Sequence, residues 1–202
     1  MSAAVPPRAG RIRSFVALEL AGAVRERLQA LIEQLRGEIP AVRWTRSESL
    51  HVTVRFLGYA DPPALVRLQG PLAEIAARGA PGDAALRGLG LFPPRGSPRV
   101  LWLGLEVPPG MGALQQECER AAIAAGFPPE PRPFRPHLTL GRWSAPAPRP
   151  RLPPADLGTA RLSRLVLFRS AMGRGGSVYT PLAAFDLGVP RDRGGEPPGD
   201  SG

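Results

Sequence analysis

The stretch HVTVRFLG, residues 51–58, holds one of only two histidines in a chain of 202 residues, and the other opens HLTLGR, residues 137–142. Both histidines begin the same pattern, His-apolar-Thr-apolar. In a strand, residues i and i+2 project from one face and i+1 and i+3 from the other. His51 and Thr53 then share a face, while Val52, Val54 and Phe56 turn into the core with Leu57 as further scaffold. His137 and Thr139 likewise share a face, backed by Leu138 and Leu140. Each copy sets an imidazole and a hydroxyl roughly 6 to 7 Å apart along a strand.

The surroundings of the two motifs also repeat. RSFVALEL (13–20) reads as a buried strand, followed by Val24, Leu28, Leu31, Ile32 and Leu35 at helical spacing with a stop at Gly37. AVRW and LHVTVRFLG read as strands, and Pro62–Arg78 as a helix entered through two prolines. In the second half RVLWLGLEV is a strand, Pro109–Ala125 a helix ending at Gly126, and a proline-rich loop leads into FRPHLTLGRW. ARLSRLVLFRS and SVYTPLAAFDL read as closing strands, hairpinned around AMGRGG. Leu18-Glu19-Leu20 stands before His51 much as Leu105-Glu106-Val107 stands before His137, so strand, helix and His-x-Thr strand recur with a period of about 86 residues. That is the mark of an internal duplication.

Composition narrows the setting. Hydrophobic residues make up 43% of the chain, enough for a packed core, and no apolar run approaches the ~18 residues of a membrane helix. The start, MSAAVPPRAGR, has no apolar core of a secretory signal, so a cytoplasmic protein is expected. Residues 1–10 and 190–202 are poor in apolar groups and are expected to be disordered, leaving 11–189 as one bilobal domain. The lone Cys118, spaced with Leu114 and Ala122, reads as a packing residue. With two histidines and one cysteine an ordinary structural zinc site is not expected. All 26 basic residues are arginine and the net charge is +9, which points either to an anionic partner such as nucleic acid or to a solvated basic surface.

Two imidazoles flanking one phosphorus suit phosphodiester chemistry. One takes a proton from the attacking oxygen and the other gives one to the oxygen that leaves. Their ordinary pKa near 6.5 allows one neutral and one charged ring around neutral pH. Threonine hydroxyls can donate to the non-bridging oxygens where charge builds. The scheme calls for no metal and no cofactor, and neither histidine has a serine or cysteine beside it to suggest a covalent nucleophile.

At these residues the sequence resembles the two-histidine (2H) phosphoesterase superfamily, and within it the RNA 2′,3′-cyclic phosphodiesterase family, also called 2′-5′ RNA ligase-like. RSFVALEL is similar to that family's opening strand, VRWTRSESLHVTVRFLG to its first motif, FRPHLTLGR to its second and LVLFRSAMGRGGSVYTPLAAFDL to its closing hairpin, so the likeness spans about Arg11 to Leu187. The resemblance implies opening of RNA 2′,3′-cyclic phosphates to 2′-phosphates, with some members joining tRNA halves through a 2′-5′ bond in reverse. It implies His51 as proton donor to the leaving 3′ oxygen, His137 as the acceptor that activates water, Thr53 and Thr139 on the phosphate oxygens, and Arg142 as a cationic contact. Tyr179 and Ser170 match positions in the closing hairpin, where core packing or hairpin geometry is the simpler role.

Arg142 raises a difficulty: five residues after His137, strict alternation turns it away from the site. Either the strand bulges at Gly141 or Arg142 is a rim residue. Arg55, four after His51, has the right parity and is a rival candidate for the cleft. Trp44 and Phe134 flank the motifs and either stack on a base at the cleft mouth or pack in the core; Phe15 reads as core. The expected fold is α+β, two pseudo-symmetric lobes, each an antiparallel sheet with outer helices, with the active cleft between the sheets. The expected partner is RNA with 2′,3′-cyclic phosphate ends, tRNA fragments among them, met by a monomer with no membrane and no metal. Two alternatives stand beside this: a 2H enzyme acting on a small cyclic nucleotide, which would differ only in its cleft walls, and a non-catalytic RNA-end binding module, which would not need two imidazoles in line.

Overall fold

Leu28, Leu31, Ile32 and Leu35 bury one side of α1 (Arg25–Glu38), as their spacing requires. The helix runs one residue past Gly37, and the Ile39 N–H still bonds Leu35 O at 2.8 Å. Pro62 and Pro63 start α2 (Pro62–Arg78), where the missing amide hydrogens cost nothing, and Leu65, Leu68, Leu72 and Ile75 line its buried face. The third helix, α3 (Pro109–Ala124), buries Met111, Leu114, Cys118 and Ala122. Burial pushes the Cys118 thiol up to about 12, which leaves it a packing group and not a nucleophile. The computed structural model describes residues 10–173 and 176–189; the terminal segments read as disordered lie outside these, apart from Gly10.

Among the described residues, eight strands complete the fold: β1 (Ile12–Leu20), β2 (Val42–Trp44), β3 (His51–Ala60), β4 (Gly82–Phe92), β5 (Val100–Glu106), β6 (His137–Trp143), β7 (Asp156–Gly173) and β8 (Gly176–Asp186). They pair antiparallel in the order β1-β3-β6-β5-β4-β7-β8, with β2 on β6. The fold is thus α+β with antiparallel sheet, as expected. One lobe holds β3, β1, β7 and β8; the other holds β2, β6, β5 and β4 with the first part of β7. Since β1 also pairs with β7, the hydrogen bonding runs in a closed circuit and joins the lobes at two seams.

Both seams are informative. Strand β7 serves the two lobes in turn, pairing with β4 over Asp156–Leu162 and with β1 over Leu162–Arg169. What the sequence presents as a short closing strand is therefore the longest, at 18 residues. The strand β4 is not anticipated by the apolar pattern, because glycines break its alternation. Gly90 is required there: a Cβ at this position would collide with the Trp102 indole, its neighbour on β5. The second seam is a single residue pair, Val52 with Leu138, between the two His-x-Thr strands.

Val16, Leu18, Val52, Val54, Leu101, Leu103, Leu138 and Leu140 join the three helices in one apolar core. Burying an aliphatic side chain of this size contributes about 1.5–3 kcal/mol, so both motif strands are held firmly from behind. A second, smaller cluster of Phe15, Ala17, Val166 and Phe168 lies on the opposite face of β1 and β7. This face carries the histidines.

Candidate active site

The pairing of Val52 with Leu138 brings the two motifs side by side. With the strands antiparallel, a step to either side sets His51 next to Thr139 and Thr53 next to His137. Each imidazole then neighbours the other copy's hydroxyl, and the pseudo-twofold axis runs between them.

Each motif strand carries a bulge at the same point. Thr53 pairs with Ala17 and Arg55 with Val16, leaving Val54 over; Thr139 pairs with Trp102 and Gly141 with Leu101, leaving Leu140 over. One extra residue reverses the alternation beyond it. Arg142 therefore returns to the face of His137 and Thr139, which settles its parity in favour of the bulge. The same reversal in the first copy turns Phe56, not Arg55, to the site face.

Arg55 is accordingly no cleft residue. It is buried on the helix side, its guanidinium paired with the Glu119 carboxylate on α3 and donating to the carbonyls of Phe56 and Pro128. Its counterpart in the second copy is Gly141, over which Val42 and Trp44 pack where a Cβ would sit. Trp44 also leaves the cleft: it is half-buried against the helix-side core. Phe134 is half-buried in the loop before His137. Tyr179 does meet the site, its ring edge-on to His51 at 5.0 Å and to Phe15 at 5.1 Å.

The imidazoles are held alike. His51 Nδ1 lies 2.8 Å from Ser49 O and His137 Nδ1 2.6 Å from Arg135 O, in each case the carbonyl two residues back. A carbonyl only accepts, so Nδ1 carries the hydrogen in both rings, and Nε2 is the nitrogen left for chemistry. Aromatic walls complete the seats. Phe15 stacks on His51 at 4.7 Å, and Phe92 and Trp102 meet His137 edge-on at 5.2 and 6.3 Å.

Burial lowers both imidazoles from their ordinary range. His51 falls to about 4, chiefly through desolvation and further through the charges of His137 and Arg142, against the opposing bond to Ser49. His137 is lowered by desolvation, with Arg142 adding to it and the Arg135 carbonyl opposing. Arg142 itself is lowered by burial, and by Arg13 and Arg43 nearby. Both rings are thus biased towards the neutral form.

Several site-facing residues escape the sequence pattern. Phe56 is hidden by the bulge. Trp102 had a usable signal: aligning Leu18-Glu19-Leu20 with Leu105-Glu106-Val107 sets it at the place of Phe15, and each ring contacts its own copy's histidine. Arg43 pairs with Arg142 across β2 and β6, and Arg13 donates to Ser170 Oγ at 3.2 Å.

A duplicated α+β fold with paired His-x-Thr strands defines a two-histidine phosphoesterase centre. The family model for LigT like phosphoesterases matches the chain twice, over residues 18–102 and 105–179, once for each half. An RNA 2′,3′-cyclic phosphodiesterase of Geobacillus stearothermophilus is 32% identical over 192 residues, 92% of this chain, which spans 61% of that protein's length. A protein of the same name from Methanothermobacter thermautotrophicus is 30% identical over 88% of this chain and its own entire length. Among solved structures, E. coli LigT complexed with 3′-AMP superposes with a TM-score of 0.76 at 28% identity, covering 88% of this chain and 98% of that one. The chain belongs to the LigT like phosphoesterase family.

Proposed function

We propose that this protein opens the 2′,3′-cyclic phosphate at an RNA end to a 2′-phosphate. The carrying observation is the pair of imidazoles seated identically, each with Nδ1 committed to a carbonyl and Nε2 free, on one face with two threonines. The names of the curated relatives support the substrate. Water, losing a proton to His137 Nε2, attacks phosphorus; the P–O3′ bond breaks and O3′ takes a proton from His51 Nε2. Exchange with solvent resets both rings. Thr53 and Thr139 donate to the non-bridging oxygens, and Arg142 neutralises their charge. With a 5′ hydroxyl in place of water, the same two transfers would form a 2′-5′ bond. No step passes through a metal.

The test is a 2′,3′-cyclic-phosphate RNA incubated with the protein in a chelator. A 2′-phosphate product supports O3′ as the leaving oxygen. A 3′-phosphate, or no product, overturns it.

Two further outcomes follow from the geometry. Thr53→Val and Thr139→Val, which keep the shape and remove the donor, should each lower kcat by about a hundredfold with unchanged thermal unfolding; a change below threefold would exclude direct contact with the phosphate. In the second, kcat/KM reports the free enzyme, in which His51 must be charged and His137 neutral. Both groups titrate below 6.5, His51 near 4. The profile should be a bell lying between about pH 4 and 6.5, declining on the alkaline side as the acid loses its proton. The bound anion offsets the charge of Arg142, so the kcat profile should lie at higher pH than that of kcat/KM. Coincident profiles centred above pH 7 would contradict this.

A further inference from the structure

Some arginines on this surface have carboxylate partners: Arg11 with Asp61, Arg87 with Asp156, Arg161 with Asp83, and Arg164 with Glu19 and Asp186. Among the described residues, Arg13, Arg43 and Arg142 form no ion pair, and their placement sets them apart: they come together at the cleft from both lobes, Arg13 from β1, Arg43 from β2 and Arg142 from β6. Arg43 and Arg142 are direct cross-strand partners. Like charges placed directly opposite each other destabilise a sheet. Arg142 is lowered chiefly by burial and further by both of the other guanidiniums. Among the described residues, Arg13 donates to the neutral Ser170 hydroxyl. Three guanidiniums without a carboxylate partner call for more negative charge than one cyclic phosphate, which carries a single charge.

We propose that Arg13 and Arg43 form a second phosphate subsite beside Arg142, filled by the phosphodiester that links the terminal nucleotide to its 5′ neighbour, so that the cleft selects oligonucleotide ends over mononucleotides. This rests on the reading of the site as one for RNA cyclic phosphates. The reacting phosphate belongs to Arg142 and the threonines; the next phosphate along the strand belongs to Arg43, on the neighbouring strand, and to Arg13, steadied by Ser170. A guanidinium offers two parallel donors to a phosphodiester's two free oxygens. The subsite reads backbone and not base, as phosphate contacts do.

The experiment measures kcat/KM for a trinucleotide and for a nucleoside, each ending in a 2′,3′-cyclic phosphate, on the wild type, R13Q, R43Q and R67Q. Arg67 is exposed on α2, outside the cleft. Wild type should favour the trinucleotide, and R13Q and R43Q should each reduce that preference about tenfold, the scale of one charged hydrogen bond. R67Q should leave it unchanged. The dependence of log kcat/KM on log salt for the trinucleotide should flatten by about 0.7 per lost contact. In parallel, fluorescence anisotropy compares binding of the 2′-phosphate products of both lengths. Equal losses on the two lengths, or no preference in the wild type, overturn the subsite. Absence of turnover with length-selective binding still lost in R13Q and R43Q would overturn the catalytic reading and leave the subsite standing.

Discussion

Alanine at either His51 or His137 should reduce cyclic-phosphate opening by about 10³-fold, measured as kcat on a cyclic-phosphate oligonucleotide. In the proposed mechanism each ring performs one proton transfer, and the bond that breaks and the bond that forms are coupled through one phosphorus, so neither ring can replace the other. The double variant should be little slower than either single one, because groups acting as a unit lose their benefit together. Loss of His51 also removes the ring stacked on Phe15 and edged by Tyr179. The unfolding temperature must therefore be recorded beside the rate. A variant that stays folded and keeps a tenth of wild-type activity would remove that histidine from the chemistry.

The second large effect concerns stability. Arg55 is 4% exposed, and Glu119 supplies its carboxylate. Removing one partner of a buried pair leaves a charge without compensation and costs about 3 kcal/mol or more. Glu119→Ala should therefore lower the unfolding temperature by about 10 °C for a chain of this size. Glu119 also accepts the Glu130 N–H at 2.9 Å, and Glu130 holds Arg132, whose guanidinium lies 5.3 Å from the Phe56 ring. The loop ahead of His137 should loosen with the pair. The double variant Arg55→Met with Glu119→Leu, lacking both charges, should recover part of the loss in a thermal melt. Equal melting of Glu119→Ala and wild type would show that water, not Glu119, compensates Arg55.

Arg55 and Phe56 mark where strand alternation stops predicting side-chain direction. Val54-Arg55-Phe56 reads as plain alternation, which directs Arg55 to the cleft and Phe56 to the core. The structure reverses both, through one unpaired residue in β3. Strand β4 is similarly invisible, since Gly88 and Gly90 carry no side chain to mark a period, and the glycine at 90 is dictated by the Trp102 ring on another strand. The length of β7 depends on its two partners, β4 and β1, rather than on its own apolar run. By contrast, the helix entered at Pro62 ended at Arg78 as read, because proline geometry and apolar spacing are local properties.

Taken alone, the sequence determined the duplicated order of elements, the α+β class, the two His-x-Thr strands and the face their side chains share. These follow from periods of two and 3.6 residues and from a motif that exhausts the chain's histidines. Only the tertiary structure decided the bulges, the burial of Arg55 against Glu119, the seats of the two rings and the gathering of Arg13, Arg43 and Arg142. A strand's register is set by which neighbour it bonds to, and a slip of one residue exchanges its faces. The partners that set it here lie far away in the chain: Val16 and Ala17 on β1 for Arg55 and Thr53, Leu101 and Trp102 on β5 for Gly141 and Thr139.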